Sequence, residues 1–205
     1  MFKDNPYVIG YEFINEPFAG NIWTAPWKLI PSITDRLTLQ PFHGRVANKT
    51  REVDSEHLFF FESITWDDFI PVGFSHAPGH DAARSVLSYH YYDPPNLNLA
   101  NHFATRQLDM ERLGTGGFLT EFPSSGDLSV PVMDMADQHL QSWMSWEYKH
   151  YWPITGVDDP FFNADESFRV ENVLNHARTS PQAVSGRTTK MHFNTFIMIS
   201  LLNIK

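Results

Sequence analysis

The chain of 205 residues contains no cysteine, which excludes structural disulfides, Cys-ligated zinc and thiol catalysis but leaves the redox compartment open. Basic residues are few: Lys+Arg 15 against Asp+Glu 24 leave a formal net charge of −9. No basic cluster interrupts that balance, so no nucleic-acid partner held through phosphate contacts is expected. Long apolar runs are missing too. The longest candidate, Phe196 to Leu202, falls far short of the about 18 residues that span a bilayer, and no transmembrane segment is expected. The opening Met1-Phe2-Lys3-Asp4-Asn5-Pro6 lacks the basic start and apolar stretch of a secretory leader. Neither GxGxxG nor GxxxxGKS/T occurs, so nucleotide binding has no support.

What is present describes a globular chain. A hydrophobic fraction of 42% against 19% charged residues suits a buried core. Aromatic residues are abundant, with 17 Phe, 7 Tyr and 6 Trp, and such rings either fill a core or form flat walls that stack on apolar ligand faces.

Short apolar runs alternate with helical-period segments, which predicts βα units around a parallel sheet. Strands are expected over Tyr7–Ile14, His57–Glu62, Ser85–Tyr91, Gly117–Phe122 and Ser142–Glu147, with helices over Leu39–Arg51, Asn101–Leu113, Val132–Gln141 and Phe168–Ala177. The first helix should bury Phe42, Val46 and Val53, and the second Phe103, Ala104 and Leu108, with Gly114 as its stop. Such an α/β pattern is compatible with a doubly wound open sheet or with part of a (β/α)8 barrel.

Polar and ionisable residues recur at the C-terminal ends of these strands: Asn15 and Glu16, Glu62, His90 and Tyr92, Glu121, Trp146 and Glu147. In a barrel those ends form the active-site face. Glu16 and Glu121 lie half the chain apart, and only a closed or curved sheet would bring them together. Two carboxyl groups flanking one bond are what glycoside hydrolysis requires: one protonates the leaving oxygen, the other attacks the sugar carbon or activates water. Asn15 suits a hydrogen bond to a sugar hydroxyl next to the reacting carbon. Tyr92 suits a hydrogen bond to the nucleophilic carboxylate, and His90, two residues before it, shares its strand face.

Plainer readings stand beside these. Glu16 and Glu121 are also what solvated strand ends look like, Asn15 is a turn former before Pro17, and His90 and Tyr92 suit a hydrogen-bonded core. Only one of Trp143 and Trp146 should face the barrel mouth, and Trp146 is the favoured sugar platform, with Trp143 packing under helices. Glu62 is open between substrate contact and a structural hydrogen bond, and Glu12 is expected to meet a helix or a buried polar partner. His76 and His80 are four apart, but Pro78-Gly79 between them breaks a helix, so loop histidines are expected and no metal site. Asn48-Lys49-Thr50 is an N-glycosylation sequon of a kind that is frequent by chance.

Gly10-Tyr11-Glu12-Phe13-Ile14-Asn15-Glu16-Pro17 resembles the Asn-Glu-Pro signature of glycoside hydrolase family 5. That resemblance implies a (β/α)8 barrel with a retaining mechanism, Glu16 as acid/base and Glu121 as nucleophile, and no cofactor. His90-Tyr91-Tyr92 looks like the family's His-x-Tyr. Within the family the chain is most similar to the endoglycoceramidases, through Asn15-Glu16-Pro17-Phe18-Ala19-Gly20-Asn21, Phe61-Glu62-Ser63-Ile64-Thr65-Trp66, Ser85-Val86-Leu87-Ser88-Tyr89-His90-Tyr91-Tyr92 and Arg178-Thr179-Ser180-Pro181-Gln182-Ala183-Val184.

The resemblance implies a glycosphingolipid or another β-glycoside as substrate, one that a membrane surface can present, and an extracellular or lysosomal home. A β-glucanase or steryl-glucoside hydrolase is the alternative within the family. The five strands would be the fourth through eighth of the barrel, with the first three absent. Residues 1–180 would then be the C-terminal part of the catalytic domain, and 181–205 the start of a C-terminal β-sandwich, with Thr188 to Leu202 as one strand. Missing strands would leave unpaired sheet edges, so the isolated chain is expected to be unstable or partly open. An inactive fragment that at most binds glycans is the reading from a different class.

Overall fold

The computed structural model describes residues 2–64, 67–150, 154, 158–181, 184–194 and 197–204. Thr65 and Trp66 of the second sequence block, and Gln182 and Ala183 of the fourth, lie outside them. Two compact units are present: Met1–His90 with Pro94–Phe118, and Tyr91–Asp93 with Leu119–Lys205. Strand β4 begins in the first and ends in the second.

In the first unit, β1 (Gly10–Glu12), β2 (Leu58–Glu62), β3 (Ser85–His90) and the start of β4 (Gly116–Glu121) follow one another in chain order. β1 pairs in parallel with β2, and β2 with β3. The first strand is shorter than the expected Tyr7–Ile14. Tyr7 is exposed, and its amide turns back to the Asn5 side chain instead of joining the ladder. Glu12, expected to meet a helix or a buried polar partner, is exposed. Gly10 is required by a close approach, since a Cβ there would lie 2.3 Å from the Leu58 carbonyl oxygen and 2.8 Å from the Phe60 ring.

Alternation along β2 sends Phe59 and Phe61 to one face, and Phe60 and Glu62 to the other. Phe61 joins Leu39, Val72, Phe74, Leu87, Met110 and Leu113 in a buried cluster. Helix α1 (Gln40–Arg51) follows a wider helical turn at Asp35–Leu39 and buries His43 and Ala47, whereas Val53 is exposed. Helix α2 (Leu99–Leu113) is capped by the Asn98 side chain, which accepts from the Asn101 amide at 3.0 Å, and stops at Gly114 in the left-handed region (φ 69°).

The buried face of α2 is not the expected one. Ala104 and Leu108 are exposed, and His102, Phe103, Thr105, Arg106, Asp109, Met110 and Leu113 point inward. The reason is polar satisfaction at long range. His102 meets Asp68 at 2.9 Å, Thr105 donates to the Asp68 carbonyl, Arg106 donates to the Ile70 carbonyl, and Asp109 accepts from the Val72 amide. These bonds satisfy backbone groups of the loop after β2, which would be costly to leave buried and unpaired.

In the second unit, the end of β4 is followed in the sheet by β5 (Ser142–Trp143). The pairing continues beyond Trp143: Met144 donates to Leu119, Trp146 to Phe122, and Ser124 back to Trp146. Helix α3 (Ser129–Gln138) starts and ends three residues before the expected span, because Pro131 is accepted in the first turn and Leu140 adopts a positive φ of 54°. Helix α4 covers Val170–His176.

The segment expected as one strand from Thr188 to Leu202 is two strands, β6 (Thr188–Asn194) and β7 (Ile199–Ile204), paired antiparallel. The reversal has a local cause. The Asn194 side chain accepts from the Ile197 amide, and Met198 sits at φ 53°. Arg178 ties this hairpin to α3: it donates to Asp134 at 2.8 Å and Asp137 at 2.7 Å and lies over the Phe193 ring. Among the described residues no helix is long and apolar enough to cross a membrane.

Candidate active site

In the first unit the chain leaves β1 through Phe13, whose amide still donates to the Phe60 carbonyl, and reaches Glu16 four residues after the strand. Glu16 has a positive φ of 43°, a left-handed backbone uncommon for a residue with a Cβ. Its amide donates to Oε2 of Glu62 at 2.7 Å. Glu62 is the last residue of β2 and is fully buried.

His90 closes β3 and is 2% exposed. Its Nδ1 lies 3.0 Å from Oε1 of Glu16 and 3.5 Å from Oε1 of Glu62. The Glu16 side chain remains 48% exposed. One carboxylate is therefore held by a buried imidazole on one side and open to an incoming ligand on the other. Asn15 beside it is also exposed.

His43 of α1 supports this cluster from below. Its Nε2 donates to the Glu62 carbonyl at 3.0 Å, and burial holds its pKa below the ordinary imidazole range, against the opposing pull of that hydrogen bond. A neutral ring with its proton on Nε2 fits both observations.

In the second unit Glu121 ends β4. Its Oε1 accepts from the Tyr92 hydroxyl at 2.7 Å, and its main-chain carbonyl accepts from the Tyr91 amide at 3.0 Å. A phenol donating to a carboxylate oxygen at that distance is a short hydrogen bond that fixes the side chain. Trp146 is 55% exposed and is anchored by its backbone to Phe122 and Ser124. Trp143 instead sets its ring edge-on to Phe122 and to His176 of α4. A cavity of about 640 Å³ in this unit is lined by Ser125, Asp127, Asn163, Arg169, Glu171 and Asn175 among others, and among the described residues neither a candidate catalytic residue nor an aromatic ring lines it.

The structure thus joins Glu16 to His90, and Glu121 to Tyr92, while Asn15 precedes Glu16 in the chain. His76 and His80 stack with ring centroids 3.8 Å apart at the Pro78–His80 turn, where Gly79 has φ 60°. Glu62 is marked in the sequence by its place at the end of the apolar run Leu58-Phe59-Phe60-Phe61. Nothing local marks His43, a lone histidine inside a helix.

Comparison with known proteins gives a consistent picture. The family model "Cellulase (glycosyl hydrolase family 5)" matches residues 1–151. The chain is 44% identical over 202 residues to an endoglycoceramidase of Hydra vulgaris, covering 95% of this chain and 38% of that protein. It is also 44% identical over 205 residues to an endoglycoceramidase of Cyanea nozakii, covering 94% of this chain and 41% of the relative. The chain therefore spans less than half the length of the curated relatives it matches.

Among solved structures it is similar to endo-glycoceramidase II from Rhodococcus sp., with a TM-score of 0.72 at 17% identity, over 93% of this chain and 46% of that one. The lactosyl-enzyme intermediate of the same enzyme gives 0.72 at 18% identity, over 93% and 45%. Similarity at that identity establishes the fold, a TIM-barrel-like α/β architecture, to which the parallel β1–β2–β3 ladder conforms.

Proposed function

The chain belongs to glycosyl hydrolase family 5, and from that premise we propose that it is the part of an endoglycoceramidase-like retaining β-glycosidase that carries both catalytic carboxylates. In this proposal Glu121 attacks the anomeric carbon while the protonated Glu16 gives its proton to the ceramide oxygen, so the carbon–oxygen bond to ceramide breaks as the ester to Glu121 forms. Glu16, now a carboxylate, takes a proton from water, and the hydroxide so generated displaces Glu121 with overall retention. This requires about 5 to 5.5 Å between the two carboxyl groups.

The observation that carries the reading is that each carboxylate sits at or just beyond the C-terminal end of a strand of the sheet, with a polar partner suited to its role. The exposed Glu16 has His90 at 3.0 Å, and Glu121 has the Tyr92 hydroxyl at 2.7 Å. Tyr92 stabilises the charge that Glu121 must carry to attack. Trp146, exposed one strand further on, serves as a platform for a sugar ring, and Asn15 as a hydrogen-bond partner for a sugar hydroxyl. No step calls on a metal or an organic cofactor.

The five strands of the sheet are proposed as the fourth through eighth of the barrel, and the β6–β7 hairpin as the start of an appended β-sandwich. A glycosphingolipid substrate is supported by the two curated relatives named endoglycoceramidase and by a solved complex of the Rhodococcus enzyme with ganglioside GM3. An extracellular or lysosomal home belongs to the same proposal. The family model's description, cellulase, favours a β-glucan as the second reading. Incubating the protein with a labelled ganglioside and with cello-oligosaccharides separates the two. Release of the intact oligosaccharide together with ceramide supports the first, and shortening of the glucan chain alone supports the second.

A further inference from the structure

We infer that Glu62 is a positioning residue for Glu16, fixing the backbone from which that carboxylate reaches the leaving group; this rests on the acid/base reading of Glu16. Glu62 is fully buried, so it is not placed to touch a substrate, and its carboxylate turns toward the two residues above it. Oε2 accepts from the Glu16 amide at 2.7 Å, and Oε1 lies 3.5 Å from His90 Nδ1. The same imidazole nitrogen is 3.0 Å from Glu16 Oε1. Glu62 thus holds Glu16 by its main chain and flanks the ring that meets its side chain.

The need for such a hold is visible in the backbone. Glu16 has φ 43°, a conformation that a residue with a Cβ keeps only where its surroundings over-determine it. The buried Glu62 side chain, accepting from that amide at 2.7 Å, supplies a short hydrogen bond at the point of strain. Glu62 is itself fixed: it lies in the β2–β3 ladder opposite Ser88, and its carbonyl is held by the buried His43 at 3.0 Å. The path runs from α1 through β2 to the main chain of Glu16, all within one unit. Removing the acceptor frees Glu16 to leave the left-handed region, and its carboxyl group leaves the place where the departing oxygen needs a proton.

The test is kinetic and uses two substrates that share a glycan. One has an alkyl or ceramide leaving group, which departs only with a proton; the other has dinitrophenolate, which departs without one. Because kcat/KM reports the steps through glycosyl-enzyme formation, it isolates the proton donation by Glu16. Glu62→Asp keeps the charge but withdraws the acceptor by one methylene, whereas Glu62→Gln keeps a carbonyl oxygen at full reach.

The expected result for Glu62→Asp is a loss of about 100-fold on the alkyl substrate, within the range of general-acid contributions, and less than about tenfold on dinitrophenyl. Glu62→Gln should stay within about tenfold of the parent on both. Equal losses on the two substrates, or better retention by Glu62→Asp than by Glu62→Gln, overturn the inference. Glu16→Ala measured alongside separates the two claims. If it loses equally on both substrates, the acid/base reading of Glu16 fails; if it discriminates and the Glu62 variants do not, the inference about Glu62 fails alone.

Discussion

The Tyr92 hydroxyl donates to Oε1 of Glu121 at 2.7 Å, and the amide of the preceding residue, Tyr91, donates to the Glu121 main-chain carbonyl. Backbone and side chain of the same carboxylate are thus held by consecutive residues leaving β3. A hydrogen bond to a charged group contributes about 1.5 to 3 kcal/mol. Tyr92→Phe removes the donor and little volume. It should lower kcat/KM about 10- to 100-fold while leaving the thermal midpoint within a few degrees, as steady-state kinetics and a melt will read.

Phe61 is 1% exposed and meets Phe74 with ring centroids 5.4 Å apart and the His43 ring edge-on at 6.0 Å. Phe61→Ala should lower the free energy of unfolding by about 3 to 5 kcal/mol in a denaturant titration, through lost transfer energy and the cavity left behind. The loss should be large enough to see even if neighbouring rings relax.

Gly73 marks a close approach of two chain segments. A Cβ there would lie 2.0 Å from the Ser32 carbonyl oxygen, and the Gly73 amide donates to the buried Asp35 at 2.9 Å. Gly73→Ala must push the two backbones apart, so it should destabilise by about 1 to 3 kcal/mol or more. An unchanged unfolding midpoint would show that the loop has room to move.

Acid should weaken the first unit in two stages. Burial holds the His102 imidazole below its ordinary range despite its bond to Asp68. Burial would push Asp68 up, but hydrogen bonds from His102, the Leu97 and Asn98 amides and Asn96 outweigh it and hold the carboxyl down to about 2. Both groups are depressed in the folded state, so the unfolded chain binds more protons and stability rises with pH. Full stability is expected above the unfolded histidine value of about 6.5, with a first loss below it and a second as pH falls from about 3.9 toward Asp68's own value. Melts across that range should show both, and Asp68→Asn should remove the second. A midpoint constant from neutral pH to the acid end would contradict the assignment.

The sequence made the strand pattern legible because short apolar runs ending in polar residues are a local signal. Leu58-Phe59-Phe60-Phe61-Glu62 and Gly116–Glu121 follow that pattern closely. Helix faces were less legible. Apolar periodicity pointed to Leu108, yet α2 turns Arg106 and Asp109 inward, since the loop around Ile70 and Val72 needs their hydrogen bonds. Partners so far away along the chain leave no trace in a local pattern. The same limit hid Asp35, which accepts from Ile64 and Gly73, and Arg178, which bridges Asp134 and Asp137. The β6–β7 reversal was missed because its turn rests on the Asn194 side chain and a positive φ at Met198, not on the usual Gly or Pro.

The most direct test of the proposed chemistry is to trap the covalent intermediate. A 2-deoxy-2-fluoro glycosyl fluoride slows both steps by destabilising the oxocarbenium-like transition state, while its good leaving group lets the first proceed, so the glycosyl-enzyme accumulates. Peptide mass spectrometry of the inactivated protein should then find one glycosyl adduct, on Glu121. An adduct on any other residue, or turnover of glycoside substrate with no adduct trapped, would contradict the assignment of Glu121 as nucleophile.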